Sequence, residues 1–148
     1  MFLKKMNDSF DFTIRNCTKK DYVFFRNLIK NSLYEYVSVY YTFDISILRK
    51  RFYDDYKNIK ILMKGKRRIG LYQLKEEGTT LHVIKIFLTP AYQGKGIGTY
   101  YLKKFETLGY KKIILDVWDN NPARFLYKKL GYKKITIKNH KIRMEKIL

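Results

Sequence analysis

The spacing of apolar residues along this chain switches repeatedly between two and about 3.6 residues, and each switch marks an element. Phe10, Phe12 and Ile14 alternate and predict a short first strand. Asn16 and Thr18 follow as turn or cap candidates, with Asp21 in the first turn of the next helix. Phe25, Leu28, Ile29, Leu33, Tyr36 and Val37 then recur at helical spacing, which predicts an amphipathic helix over 19–38. Asp44 can cap a second helix carrying Ile45, Leu48, Phe52 and Tyr56. Residues 59–63, 68–74 and 80–88 read as three strands of an antiparallel meander, with turns at 64–66 and 76–78. After Pro90 the period lengthens again. Ile97, Tyr101, Phe105 and Leu108 predict a helix over 97–108, ended by Gly109. Lys112 to Val117 reads as a strand, and Asn121-Pro122 opens a helix that Gly131 ends. Residues 132–138 and 141–147 read as a hairpin around Asn139-His140.

Two local irregularities refine this pattern. The hexapeptide Leu-Gly-Tyr-Lys-Lys-Ile occurs at 108–113 and again at 130–135, each time where a helix gives way to a strand. Glycine suits the left-handed residue that follows a helix. In the third meander strand the apolar positions are 81 and 83, then 84, 86 and 88, so parity slips by one after Val83. Two readings stand for that slip: a β-bulge, or a strand buried on both faces.

Composition narrows the class. The 148 residues are 46% hydrophobic and 17% aromatic, far too apolar for a disordered polycation. A chain this long buries roughly 70% of its unfolded surface, so residues 1–148 are expected to form one domain. The lone cysteine, Cys17, rules out an intrachain disulfide framework and makes a reducing cytoplasm the default compartment. No stretch has the roughly 20 apolar residues of a membrane span. The net charge of +19 first suggests nucleic acid. Its spread argues otherwise. Residues 1–74 hold 16 basic and 7 acidic side chains, and residues 75–148 hold 16 and 6. With 24 Lys to 8 Arg, a solvated basic surface is favoured over a dedicated nucleic-acid face.

The most specific chemistry lies between the third meander strand and the next helix: Gln93-Gly94-Lys95-Gly96-Ile97-Gly98. Glycines allow close backbone approach, and a helix start adds free amides and a positive dipole end. Together they suit a pyrophosphate. The segment is neither a P-loop nor a dinucleotide fingerprint, since it lacks Gly-Lys-Ser/Thr and Gly-x-Gly-x-x-Gly. Preceded by Phe87-Leu88-Thr89-Pro90-Ala91-Tyr92, it resembles the cofactor motif of the GNAT superfamily of acyl-CoA-dependent N-acyltransferases, Gln/Arg-x-x-Gly-x-Gly/Ala. Asn120-Asn121-Pro122-Ala123-Arg124-Phe125-Leu126-Tyr127, then Leu130-Gly131-Tyr132, is similar to the family's second block. The resemblance is strong over 80–135 and weak before 60.

That resemblance implies an α/β GNAT fold: a mixed, mostly antiparallel sheet of about six or seven strands with helices on both faces. It implies acetyl transfer from acetyl-CoA to a primary amine of a small molecule, peptide or protein, by direct attack in a ternary complex. Amides of Gln93, Gly94, Lys95, Gly96, Ile97 and Gly98, with Thr99, would hold the coenzyme A pyrophosphate. Backbone groups of the Ile86-Phe87-Leu88 stretch would pair with the pantetheine, and the amide of Ile86 would face the thioester oxygen. Asn120 would bind the pantetheine from the other side, near Ala123. Tyr127 would protonate the departing thiolate, as a phenol can. Some family members carry a Glu base eleven residues before the motif Gln; here that position is His82, and an imidazole accepts a proton near neutral pH. His82 as base and a relay through water both stay open.

Other chemistries lack residues. Two distant histidines and one cysteine are no metal constellation. The positive field can draw in the anionic cofactor, with Lys95, Lys103, Lys104, Lys128 and Lys129 as candidate phosphate contacts. Two rivals remain: a basic GNAT-shaped module binding nucleic acid or a ribosomal component, and a catalytically silent coenzyme A-binding regulator. Residues 19–57, which would shape the acceptor site, carry no recognisable motif. A monomer and a homodimer fit equally.

Overall fold

Asp21 builds the first joint of the fold. Its carboxylate accepts the Thr18 amide at 2.8 Å and both Arg15 guanidinium nitrogens at 2.7 and 2.9 Å. In the computed structural model, which describes residues 12–148, this joint links strand β1 (Thr13–Asn16) to helix α1 (Tyr22–Val37). Phe10 of the expected first strand lies outside the described residues. Asp44 accepts the amides of Ser46 and Ile47 and so starts helix α2 (Ile45–Asp55), as its capping chemistry requires. The meander follows: β2 (Ile59–Lys64), β3 (Arg67–Glu77) and β4 (Thr80–Leu88). Helix α3 (Ile97–Phe105), strand β5 (Lys112–Trp118), helix α4 (Ala123–Lys129) and the hairpin of β6 (Lys133–Lys138) and β7 (Lys141–Ile147) complete it.

The seven strands form one sheet in the order β1-β2-β3-β4-β5-β7-β6. All described neighbours are antiparallel except β4 and β5. Helices cover both faces. Phe25, Leu28 and Ile29 of α1 and Phe52 of α2 pack on Ile59, Ile61 and Leu71. Ile97, Tyr101 and Phe105 of α3 pack on Leu81, Val83, Ile113 and Leu115, with Tyr127 and Leu130 leaning on the same cluster. Each fully buried Phe, Ile or Leu contributes about 1.5–3 kcal/mol. Strand β5 serves both faces by alternation. Ile113, Leu115 and Val117 point toward α3, while Ile114, Asp116 and Trp118 point to the α1–α2 side.

Helix α3 is shorter than its apolar spacing predicts. It stops at Phe105, and the amides of Glu106, Thr107 and Leu108 fold back in tighter turns onto the carbonyls of Lys103, Lys104 and Phe105. The Thr107 hydroxyl competes for the Lys104 carbonyl at 2.6 Å. Gly109 therefore turns the chain toward β5 (φ 94°) from beyond the helix rather than as its first left-handed residue. The second copy of the hexapeptide behaves as expected. Gly131 (φ 99°) follows the cap residue Leu130 of α4, its amide donates to Lys128 O at 3.1 Å, and the Tyr132 amide donates to Tyr127 O at 3.0 Å.

Candidate active site

The site begins with a parity slip that is a bulge. Gln73 pairs with Lys85 while Leu74 pairs with Val83, so Ile84 has no partner on β3. The parallel pairing of β4 with β5 stops at the same place, at Val83 and Leu115. Beyond it the two strands part. Ile86, Phe87 and Leu88 pair with Tyr72, Leu71 and Gly70 on β3, and their other edge faces no described strand. An extended ligand can add to such an edge. Gly70 makes the pairing possible: a Cβ there would stand 2.5 Å from the Phe87 carbonyl oxygen.

The glycine segment stands at the mouth of this wedge. The Gln93 side chain donates to Leu88 O at 2.9 Å and ties the segment to the end of β4. Gly94 (φ 69°) and Gly96 (φ 82°) are both left-handed, a conformation open to glycine at no steric cost. Tyr100 is the first to donate back into α3, to Gly96 O at 2.9 Å. The amides ahead of it are the orphan donors of a helix start. Ile97 anchors the cradle with its side chain in the core, 1% exposed. Lys95 lies over the Tyr92 ring at 5.6 Å.

The far wall comes from the end of β5 and from α4. Asn120 donates to Tyr36 O at 3.1 Å, and its Oδ1 is buried without a partner. Asn121 Oδ1 accepts the Ala123 amide at 2.9 Å, so Asn121 caps as expected although α4 starts one residue later, after Pro122. Tyr127 is half-buried against Tyr132, and burial pushes its phenol up. Tyr127 and His82 line one cavity of about 520 Å³ together with Ile84 and Ile86. His82 is 9% exposed, with Nε2 3.5 Å from Asp116 Oδ2 and Nδ1 3.6 Å from Glu77 Oε1. Arg143 grips Asp116 with two bonds of 2.9 and 3.0 Å. Burial opposes charge on Asp116, but His82 and Arg143 outweigh it and hold the carboxyl well below the usual range.

A second cavity of about 820 Å³ adjoins the first, and the residues they share include Leu33, Arg51, Asp116, Trp118 and Lys141. Its rim is the α1–α2 connection clamped to the β6–β7 turn. The Tyr40 ring stacks on His140 at 3.6 Å, and both reach Asp119, at 2.7 and 3.2 Å. Asp116, Lys85 and Gly70 are site residues that the motifs did not single out. Each had a faint signal, as a lone charge or lone glycine inside an apolar strand. Cys17 is buried, which pushes its thiol up to about 12, and it lies outside both cavities. Among the described residues no group of three His, Cys, Asp or Glu could hold a metal, and no helix is long and apolar enough to cross a membrane.

Residues 26–132, from α1 through the wedge and cradle to the end of α4, match the acetyltransferase (GNAT) family, and the chain belongs to that family. Its curated relatives include the [ribosomal protein bS18]-alanine N-acetyltransferase of Haemophilus influenzae, 30% identical over 89 residues. The match covers 57% of this chain and 60% of that protein's length. The fold superposes on the PaiA N-acetyltransferase of Thermoplasma acidophilum in complex with coenzyme A, with a TM-score of 0.72, 19% identity, and coverage of 94% of this chain and all of that one. An acetyltransferase from Thermus thermophilus gives 0.73 at 15% identity, covering 94% and 98%. At such identities the likeness concerns the fold.

Proposed function

We propose that the protein transfers an acetyl group from acetyl-CoA to a primary amine, by direct attack with both substrates bound. The observation that carries this reading is the wedge, where an unpaired edge of β4 runs from beside Tyr127 and His82 to a helix start lined with glycines. The residues present suit coenzyme A. The buried, unpartnered Oδ1 of Asn120 wants a donor, which a pantetheine amide has. The orphan amides from Gly94 to Thr99 want an anion. In this reading the thioester supplies an activated acyl carbon. The amide of Ile86 steadies the charge that develops on the acyl oxygen. Tyr127 gives its proton to the departing sulfur, and His82 or a water takes the proton of the amine. The kinship with a protein-alanine N-acetyltransferase favours a peptide α-amine as acceptor. We read its compartment as the cytoplasm, because its lone cysteine is a buried thiol.

Calorimetry with acetyl-CoA, followed by thiol release with a panel of peptide and small-molecule amines, tests the reading. Saturable binding and amine-dependent release are expected. No heat at millimolar ligand removes the enzyme altogether. Binding without release for any amine leaves a coenzyme A-binding regulator.

A further inference from the structure

The larger cavity is walled by apolar and aromatic groups but floored by charge. Trp118 of β5 and Lys141 of β7 are register partners, as are Asp116 and Arg143, so all four face the α1–α2 side of the sheet. Lys138, from the β6 end of the same hairpin, and Arg51, from α2, complete the cationic lining. Lys85 projects from β4 into the adjoining cavity.

Three of the four lining carboxylates are already engaged. Asp116 is gripped by Arg143, Asp44 holds the amides that start α2, and Asp55 accepts from Gln73 and Asn58. Asp54 is exposed at the edge of the smaller cavity. Among the described residues Arg51, Lys85, Lys138 and Lys141 form no ion pair with a carboxylate. Lys85 donates to Gln73 at 3.4 Å, and Lys141 lies over the Trp118 ring at 5.1 Å. Burial lowers the Lys85 pKa, Asp55 opposes that, and the charges of Arg51 and Lys141 lower it further, so both of these cations repel Lys85. An anion entering between them would offset that repulsion.

We propose that the trench between the α1–α2 connection and the β6–β7 hairpin binds an acidic peptide N-terminus, with Arg51, Lys138 and Lys141 reading carboxylates next to the acceptor amine. This rests on the acetyltransferase reading. A cavity of about 820 Å³ lies toward the upper end of small-molecule sites, a volume that can take a short peptide segment. Its apolar wall, with Tyr41, Phe43 and Trp118, takes side chains between the charges.

Trp118 is the chain's one tryptophan and borders both cavities, so its fluorescence reports occupancy directly. Three peptides that share an N-terminal alanine and differ only at the next two residues (Glu-Glu, Gln-Gln, Lys-Lys) are titrated with and without coenzyme A. The acidic peptide is expected to bind roughly tenfold more tightly than the neutral one, about one charge-assisted hydrogen bond, and the basic peptide most weakly. Added salt should shrink the gap. Lys138→Glu combined with Lys141→Glu should invert the order, and Arg51→Glu alone should close the gap. Equal affinities, a preference for Gln-Gln or Lys-Lys, or no binding by any peptide overturns the proposal. Because this readout is binding, an acidic preference without acetyl transfer supports the trench and removes only the enzymatic reading. Transfer to amines without an acidic preference does the reverse.

Discussion

Tyr127 owes its position to Gly131. The left-handed glycine lets the Tyr132 amide close the last turn of α4 onto Tyr127 O, and the two rings pack at 6.1 Å. Burial pushes the phenol up, so Tyr127 keeps its proton across the working pH range and is a donor rather than a base. Tyr127→Phe is expected to lower kcat by about a hundredfold while the calorimetric Kd for acetyl-CoA hardly moves. An unaltered kcat would release Tyr127 from the acid role. Gly70 acts through the backbone instead. In Gly70→Ala the new Cβ meets the Phe87 carbonyl oxygen at 2.5 Å and Leu88 Cα at 3.3 Å, so β4 must shift along the edge assigned to pantetheine. The expected loss is about 1–3 kcal/mol of stability together with weaker acetyl-CoA binding, read by thermal melts and calorimetry. Gly98→Ala is the contrast. Its Cβ meets nothing within 4 Å, its φ is not left-handed and it lies in α3, so the melting temperature should rise slightly rather than fall.

At the scale of elements, what could be read from the chain was whatever local chemistry decides. The parity slip after Val83 located the irregularity to the residue, the pairing with β3 decides for a bulge over a two-faced strand, and the bulge opens the wedge. Asn139 and His140, at φ 50° and 66°, form the tight turn that the hairpin reading needed. The glycine segment was legible because only a few residue types tolerate its conformation. Contacts between distant elements were not. Nothing local ties Tyr40 to His140, a hundred residues on, yet their stacking and shared Asp119 fasten the α1–α2 connection over the larger cavity. Asp116 looked like one polar residue in an apolar strand until β7 brought Arg143 beside it. The clamp predicts a division of effects. Tyr40→Ala frees the connection, so KM for the acceptor should rise several-fold while acetyl-CoA affinity, which is assigned to the wedge and cradle, should stay unchanged. A matching loss of acetyl-CoA affinity would mean that the clamp supports the whole site.

Across the molecule the basic excess makes each carboxylate valuable. With 32 Lys and Arg against 13 Asp and Glu, cations outnumber acids by 19. Two acids are shared: Asp116 serves His82 and Arg143, and the buried Asp21 serves Arg15 and Arg68. Asp21 is 2% exposed and joins β1, β3 and the start of α1 at one point. Burial disfavours its charge, but the bonds from Arg15, the Thr18 amide and Arg68 prevail and hold the carboxyl well below its ordinary value. An unfolded chain therefore takes up this proton at a higher pH than the folded one. The stabilisation is complete above the unfolded pKa of about 4 and is lost as pH falls from there through the folded value. Asp21→Asn removes the charge while Arg15 and Arg68 stay. Both keep 39% exposure, so water offsets part of the loss and the cost near neutral pH is about 2 kcal/mol. Thermal melts of both proteins between pH 7 and pH 2 check the sign. The gap in Tm should hold steady down to about pH 4 and narrow below it, as the wild type loses what the variant never had. A gap that stays constant to pH 2 would show that Asp21 stabilises the joint by its hydrogen bonds alone, with its charge contributing nothing.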